Sequence, residues 1–168
     1  MVCNIEFKDY PWVWSIWVKT PMLKNSDLLI ASACLPFVNP KLFEELSRNR
    51  VVLLACPERE SATHYGKIAS IIRSSKPKSI TVVTIDGSPH CYTLQASVNE
   101  AEYILGERVN KKHYVVVNAE KLVEINPDAI RVSRYLSLVS EIIREHPEIV
   151  EKLGNLSLEY QSSRGRYK

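Results

Sequence analysis

Residues 79–105, SITVVTIDGSPHCYTLQASVNEAEYIL, change character part-way along. The opening SITVVTI is nearly continuously apolar and rich in β-branched residues, the pattern of a strand buried on both faces. Asp86-Gly87 then supplies a turn, and Ser88-Pro89 supplies a capping hydroxyl followed by a proline in the first helical position, where its missing N–H costs nothing. Beyond it the apolar residues fall three or four apart, so the stretch reads as strand, turn and helix.

The same unit recurs outward in both directions. DLLIASA (27–33) and RVVLLAC (50–56) precede it and HYVVVN (113–118) follows, with helical spacing in the segments between. Strands alternating with helices predict an α/β domain with three layers, α/β/α, built on a mainly parallel four-stranded sheet at 27–33, 50–56, 79–85 and 113–117. Asn39-Pro40, Asn126-Pro127 and His146-Pro147 repeat the helix-start device. Residues 127–146 read as one long amphipathic helix and 147–155 as a short one. At the amino-terminal side, YPWVWSIWV holds Trp12, Trp14 and Trp17 in a β-favouring run, which predicts an extra edge strand or hairpin. Packing of these rings in the core is the favoured reading; a homodimer surface is the alternative. Residues 1–161 are expected to form a single α/β domain, with 162–168 a basic, disordered tail.

The net charge of +3 comes from the tail SSRGRYK, which carries Arg164, Arg166 and Lys168 and no acid; the rest of the chain is balanced. With no basic stripe on the body, the sequence argues against nucleic-acid binding. No apolar run is long enough to span a bilayer, and the start has acids where a signal peptide would be basic, so a cytoplasmic location is expected. Gln is scarce among abundant Ile, Val, Glu and Lys, which fits a thermophilic, archaeal origin. In a reducing compartment the four cysteines are expected to be thiols, metal ligands or redox centres.

Three of the four fall at equivalent places. Cys34 follows the first strand, Cys56 ends the second, and His90 and Cys91 follow the third. In a parallel sheet these positions line up along the carboxyl edge, where ligands of open α/β sheets bind. Pro36, Pro57 and Pro89 stiffen the respective loops. Cys91 lies in the first turn of its helix, where free N–H groups and the dipole favour an anion, as suits a metal ligand or reactive thiol. Cys34, Cys56, Cys91 and His90 are therefore the candidate metal set, with donors that match zinc or an iron–sulfur centre. Cys3 receives no role, His64 is expected to face solvent, and His113 lies at the wrong end of its strand.

SACLPF with Cys34, LLACPE with Cys56 and SPHC with Cys91 also carry a family resemblance. In that order and at similar spacing, from about residue 28 to 105, the chain resembles a cysteine-containing α/β domain of archaeal and bacterial four-iron four-sulfur (ferredoxin-type) proteins. The resemblance implies an iron–sulfur role. Two departures bear on it: the closely spaced Cys-x-x-Cys run of those proteins is missing, and His90 stands where they have the first of two adjacent cysteines.

No Gly-x-Gly-x-x-Gly, Walker loop, Gly-x-Ser-x-Gly or His-Glu-x-x-His pattern occurs. Three functional readings follow. The first is a metal-binding or redox accessory protein, with zinc or an iron–sulfur cluster and a redox or protein partner. The second is a thiol-dependent enzyme or redox sensor using Cys91 with His90 or Cys56 as its partner. The third is a noncatalytic interaction or scaffold domain whose cysteines pack or form a disulfide.

Overall fold

The computed structural model of the chain describes residues 10–60 and 64–164, without the side chains of His64 and Tyr65. Cys3 and the last residues of the basic tail lie outside them. The chain divides into two compact units, Met1–Pro127 and Asp128–Lys168, where the sequence reading takes 1–161 as one domain.

In the first unit, β1 (Asp27–Ser32) leads through α1 (Leu35–Val38) and α2 (Pro40–Ser47) to β2 (Val51–Ala55). Next come α3 (His64–Ser75), β3 (Ser79–Ile85), α4 (Pro89–Leu105), β4 (Lys111–Val117) and β5 (Lys121–Ile125). The sheet order is β2-β1-β3-β4-β5. The first four strands are parallel, as their sequences predict, and β5 runs antiparallel to β4. The expectation of four strands thus omits one. β5, KLVEI, is short and carries charges at Lys121 and Glu124, and it is joined to β4 through Asn118 and Ala119, whose φ angles are 49° and 63°. Glycine is usual in such left-handed turns, and with alanine there the hairpin signal is muted.

Alternation along the strands separates two cores. Leu28, Ile30, Leu53, Ala55, Ile80 and Val82 pack with Ile68 and Ile71 of α3 and Leu94 and Val98 of α4. Leu29, Ala31, Val52, Leu54 and Val83 face the other way, against Leu35 of α1 and Phe43 of α2. Neighbouring residues of one strand therefore serve opposite layers, as a two-residue period requires. Two of the predicted caps hold: Asn39 accepts from the Leu42 N–H at 3.0 Å and Ser88 from the Cys91 N–H at 3.3 Å, whereas at His146-Pro147 the proline is itself the N-cap of the helix that begins at Glu148, with no side-chain cap bond.

The tryptophan-rich run pairs with the sheet at a single bridge, Trp12 to Leu54. Core packing of the rings is corrected. Val13 and Ile16 are the buried residues of this run, Trp12 is half-buried, and Trp14 and Trp17 are exposed. Spacing of three puts Val13 and Ile16 on one side of a turn, and the tryptophans between them point elsewhere.

The second unit holds α6 (Leu136–Glu145), α7 (Glu148–Lys152) and α8 (Leu158–Ser163), after α5 (Pro127–Val132) at the boundary. The single helix expected over 127–146 is therefore two. At the break the Ser133 hydroxyl donates to the Ala129 carbonyl at 2.7 Å and the Tyr135 N–H to the Val132 carbonyl at 2.8 Å, local bonds that compete with helix propagation. Among the described residues, no helix is long and apolar enough to cross a membrane.

Candidate functional site

β1 lies between β2 and β3, so the chain leaves β1 to one side and returns to the other. The two departing segments also take opposite faces: α1 and α2 pack in one core and α4 in the other. Such a reversal is a topological switch point, and it opens a crevice at the carboxyl ends of β1 and β3. Cys34 stands on one side of that crevice and Cys91 on the other.

Ser32, the last residue of β1, joins them. It continues the Leu28, Ile30 face toward α4 and is buried. Its hydroxyl lies 3.5 Å from Cys91 Sγ, receives the Cys34 N–H at 3.4 Å and favours the Cys34 thiolate. One hydroxyl thus contacts both cysteine residues. Cys91 is buried, Cys34 exposed and Cys56 half-buried, and all three are free thiols.

Cys34 reports the electrostatics of the edge. Burial of one side of its thiol raises its pKa, the charges of Cys56, Cys91 and Glu58 raise it further, and the Ser32 hydrogen bond lowers it. Burial disfavours the thiolate, and so does each neighbouring negative charge. Cys56 and Cys91 thus both act on the Cys34 thiol.

Cys56 is held by the loop that follows β2. Its carbonyl accepts from the N–H groups of Arg59 and Glu60 at 2.9 and 2.8 Å, and its own N–H donates to Glu60 Oε2 at 3.1 Å. Glu60, only 8% exposed, accepts the Trp14 N–H on its other oxygen at 3.1 Å. A buried carboxylate with backbone donors on both oxygens fixes the loop to the amino-terminal segment.

His90 takes another direction. Its side chain is 48% exposed and its Nε2 lies 3.8 Å from Glu58 Oε2. Adjacent residues on a regular helix point about 100° apart, so burying Cys91 turns His90 outward. Among the described residues, no group of three His, Cys, Asp or Glu side chains is placed to hold a metal ion. Cys34, Cys56, Cys91 and His90 share an edge without being assembled as a coordination shell. Their placement is divided by Ser32, by the Glu60-held loop and by the outward turn of His90.

His113 is the third residue of β4 and is buried. Its Nδ1 lies 2.6 Å from Gln95 Oε1, and Gln95 Nε2 donates to Thr84 Oγ1 and to the Tyr114 carbonyl at 2.9 and 2.8 Å. It belongs to a polar network between α4 and the sheet. Sequence reasoning missed Ser32, Glu58 and Glu60. Ser32 alone left a signal, a hydroxyl at the end of an otherwise apolar alternation.

A doubly wound sheet with a crevice at its switch point defines the class, a Rossmann-like α/β domain. The chain belongs to this family: the family model described as Rossmann-like domain matches residues 20–168. No curated protein and no solved structure shows a significant match to the chain.

Proposed function

We propose that the chain is a thiol redox accessory protein of a reducing, cytoplasmic compartment, with Cys34 and Cys91 as its working pair. The observation that carries this reading is the Ser32 hydroxyl that contacts both an exposed and a buried cysteine at the switch point. Exposed Cys34 meets the partner, and buried Cys91 resolves. In thiolate form Cys34 attacks one sulfur of a partner protein's disulfide, forming a mixed disulfide and releasing one partner thiolate. The Cys91 thiolate then attacks Cys34 Sγ, forming a Cys34–Cys91 disulfide and releasing the second partner thiolate. Two electrons pass to the partner, and two protons leave the chain's thiols.

The direction of transfer follows from the compartment proposed: a reducing cytosol holds the pair as a dithiol, and the dithiol form is the electron donor. The test is equilibration in glutathione or dithiothreitol redox buffers, followed by acid trapping and mass spectrometry. The expected product is one intramolecular disulfide between Cys34 and Cys91, absent in Cys91→Ser, with a potential below about −200 mV. Persistence of both as thiols across the buffer range overturns the reading.

A second reading, uptake of zinc or an iron–sulfur centre, is favoured by one further observation: Cys56 acts on the Cys34 thiol alongside Cys91. Three thiolates reach one ion if the edge rearranges around it. Elemental analysis and an absorption spectrum of protein purified without oxygen distinguish it: bound zinc, or iron with inorganic sulfide, supports this reading over the dithiol one, and metal-free protein excludes it.

A further inference from the structure

At the amino ends of the parallel strands the sheet has a second concavity. β4 is followed directly by the antiparallel β5 rather than by a crossover helix. A groove of about 340 Å³ is left there, between the end of α2 and strands β3, β4 and β5. Its volume lies at the lower end of the range for ligand pockets and suits a single-ring molecule.

The register identifies the floor. Thr81 pairs with Leu29 on one side and Lys112 on the other, and Tyr114 pairs with Val83. Because paired residues share a face, Thr81, Lys112 and Tyr114 lie on the same face as Leu29 and Val83. Leu46 of α2 and Leu122 of β5 supply apolar walls. Arg50 enters from the turn after α2, its Nη1 donating to the Leu46 carbonyl at 2.9 Å.

The charges of the lining are of one sign, Arg50 and Lys112. Neither forms an ion pair among the described residues. The nearby acids are each bonded by a hydroxyl and do not line the groove: Ser79 Oγ donates to Asp27 Oδ1 at 2.6 Å, and Tyr114 Oη to Glu124 Oε2 at 3.0 Å. Both cations act on the Tyr114 phenol, whose pKa is raised by burial and by Glu124 and lowered in part by Lys112 and Arg50. Thr81 is 7% exposed and lines the groove, yet its hydroxyl has no hydrogen-bond partner among the described residues. The hydroxyl opens into the groove and can donate to a ligand there.

We propose that this groove binds a small organic oxyanion on an apolar ring, a carboxylate or a phosphate ester. The anion lies between Arg50 and Lys112 and accepts from the Thr81 hydroxyl. Arg50 keeps Nε and Nη2 for it. The ring rests against Tyr114 between Leu46 and Leu122. The site lies at the opposite ends of the strands from the thiols and is independent of their chemistry.

The test is an amide NMR titration of the full ¹⁵N-labelled chain with phenyl phosphate and, separately, benzoate, with benzyl alcohol as the uncharged control. Saturable shifts at Thr81, Asn110 and Lys112 with at least one anion are expected, at a dissociation constant of about 1 mM or tighter. Whichever anion binds more tightly identifies the headgroup. Lys112→Gln, at an exposed position whose loss leaves the fold intact, should weaken binding about tenfold, and the near-isosteric Thr81→Val should weaken it about threefold. The proposal is overturned if neither anion gives saturable shifts there, if benzyl alcohol shifts those amides equally, or if Lys112→Gln binds as the parent does.

Discussion

At the carboxyl ends of β1, β2 and β3 the loops bring Cys34, Cys56 and Cys91 to one edge, whereas at the amino ends the groove is floored by Thr81, Lys112 and Tyr114 from the strands themselves. The first edge arises because parallel strands all deliver their following residues to the same side. The second arises where β4 turns back into β5 instead of entering a crossover helix, and strand side chains line the groove beside the end of α2. An edge built of loops advertises its chemistry through cysteine, proline and caps. A groove built of ordinary strand positions does not.

The largest effect expected from a substitution strikes what the two edges share. Phe43 of α2 is fully buried against Leu29, Ala31 and Val83, and α2 both follows the Cys34 segment and walls the groove. Phe43→Ala should lower stability by about 3–5 kcal/mol, measured by urea unfolding. A loss near zero would mean that α2 does not hold this face, and the two edges would have no common support.

Ser88→Ala should separate them. Removal of the cap that receives the Cys91 N–H should cost about 1 kcal/mol and loosen the first turn of α4, so that Cys91 is alkylated faster. Amide shifts of Thr81 and Lys112 should stay in place. Movement at both edges would show that they are coupled through β3.

The smallest effect concerns Cys34 alone. Burial, with the charges of Cys56, Cys91 and Glu58, raises its pKa, so at neutral pH less of it is thiolate than in an unperturbed cysteine. Iodoacetamide should therefore label Cys34 more slowly than a small thiol at pH 7, the rate rising at higher pH than for the small thiol. Glu58→Gln should move this profile slightly toward lower pH. A profile at or below that of the small thiol would contradict the burial and negative charge placed around Cys34.

How much could be read in advance differs between elements for local reasons. The four parallel strands were legible because burial on both faces demands continuous apolar runs, and the α2 and α4 starts because Asn39-Pro40 and Ser88-Pro89 fix cap and first turn together. β5 was hidden by its short charged sequence and its Asn118-Ala119 turn, and the α5–α6 break by a serine whose back-bond to Ala129 is not encoded in apolar spacing. The tryptophans misled because ring size favours burial, while the turn through Val13 and Ile16 decided which side chains went inward.

By itself the sequence determined the alternation of buried strands and amphipathic helices, hence a parallel sheet, and placed three cysteines at one edge of it. Those are consequences of period and order along the chain. Tertiary structure alone decided that β1 lies between β2 and β3, which makes the crevice a switch point, and that Ser32 stands between Cys34 and Cys91. It also turned His90 toward Glu58 and left Thr81, Lys112 and Tyr114 facing an uncovered groove. Strand order and the covering of a face depend on contacts between residues far apart in the chain. Local pattern fixes which side of a strand is apolar, and only packing fixes what, if anything, lies against it.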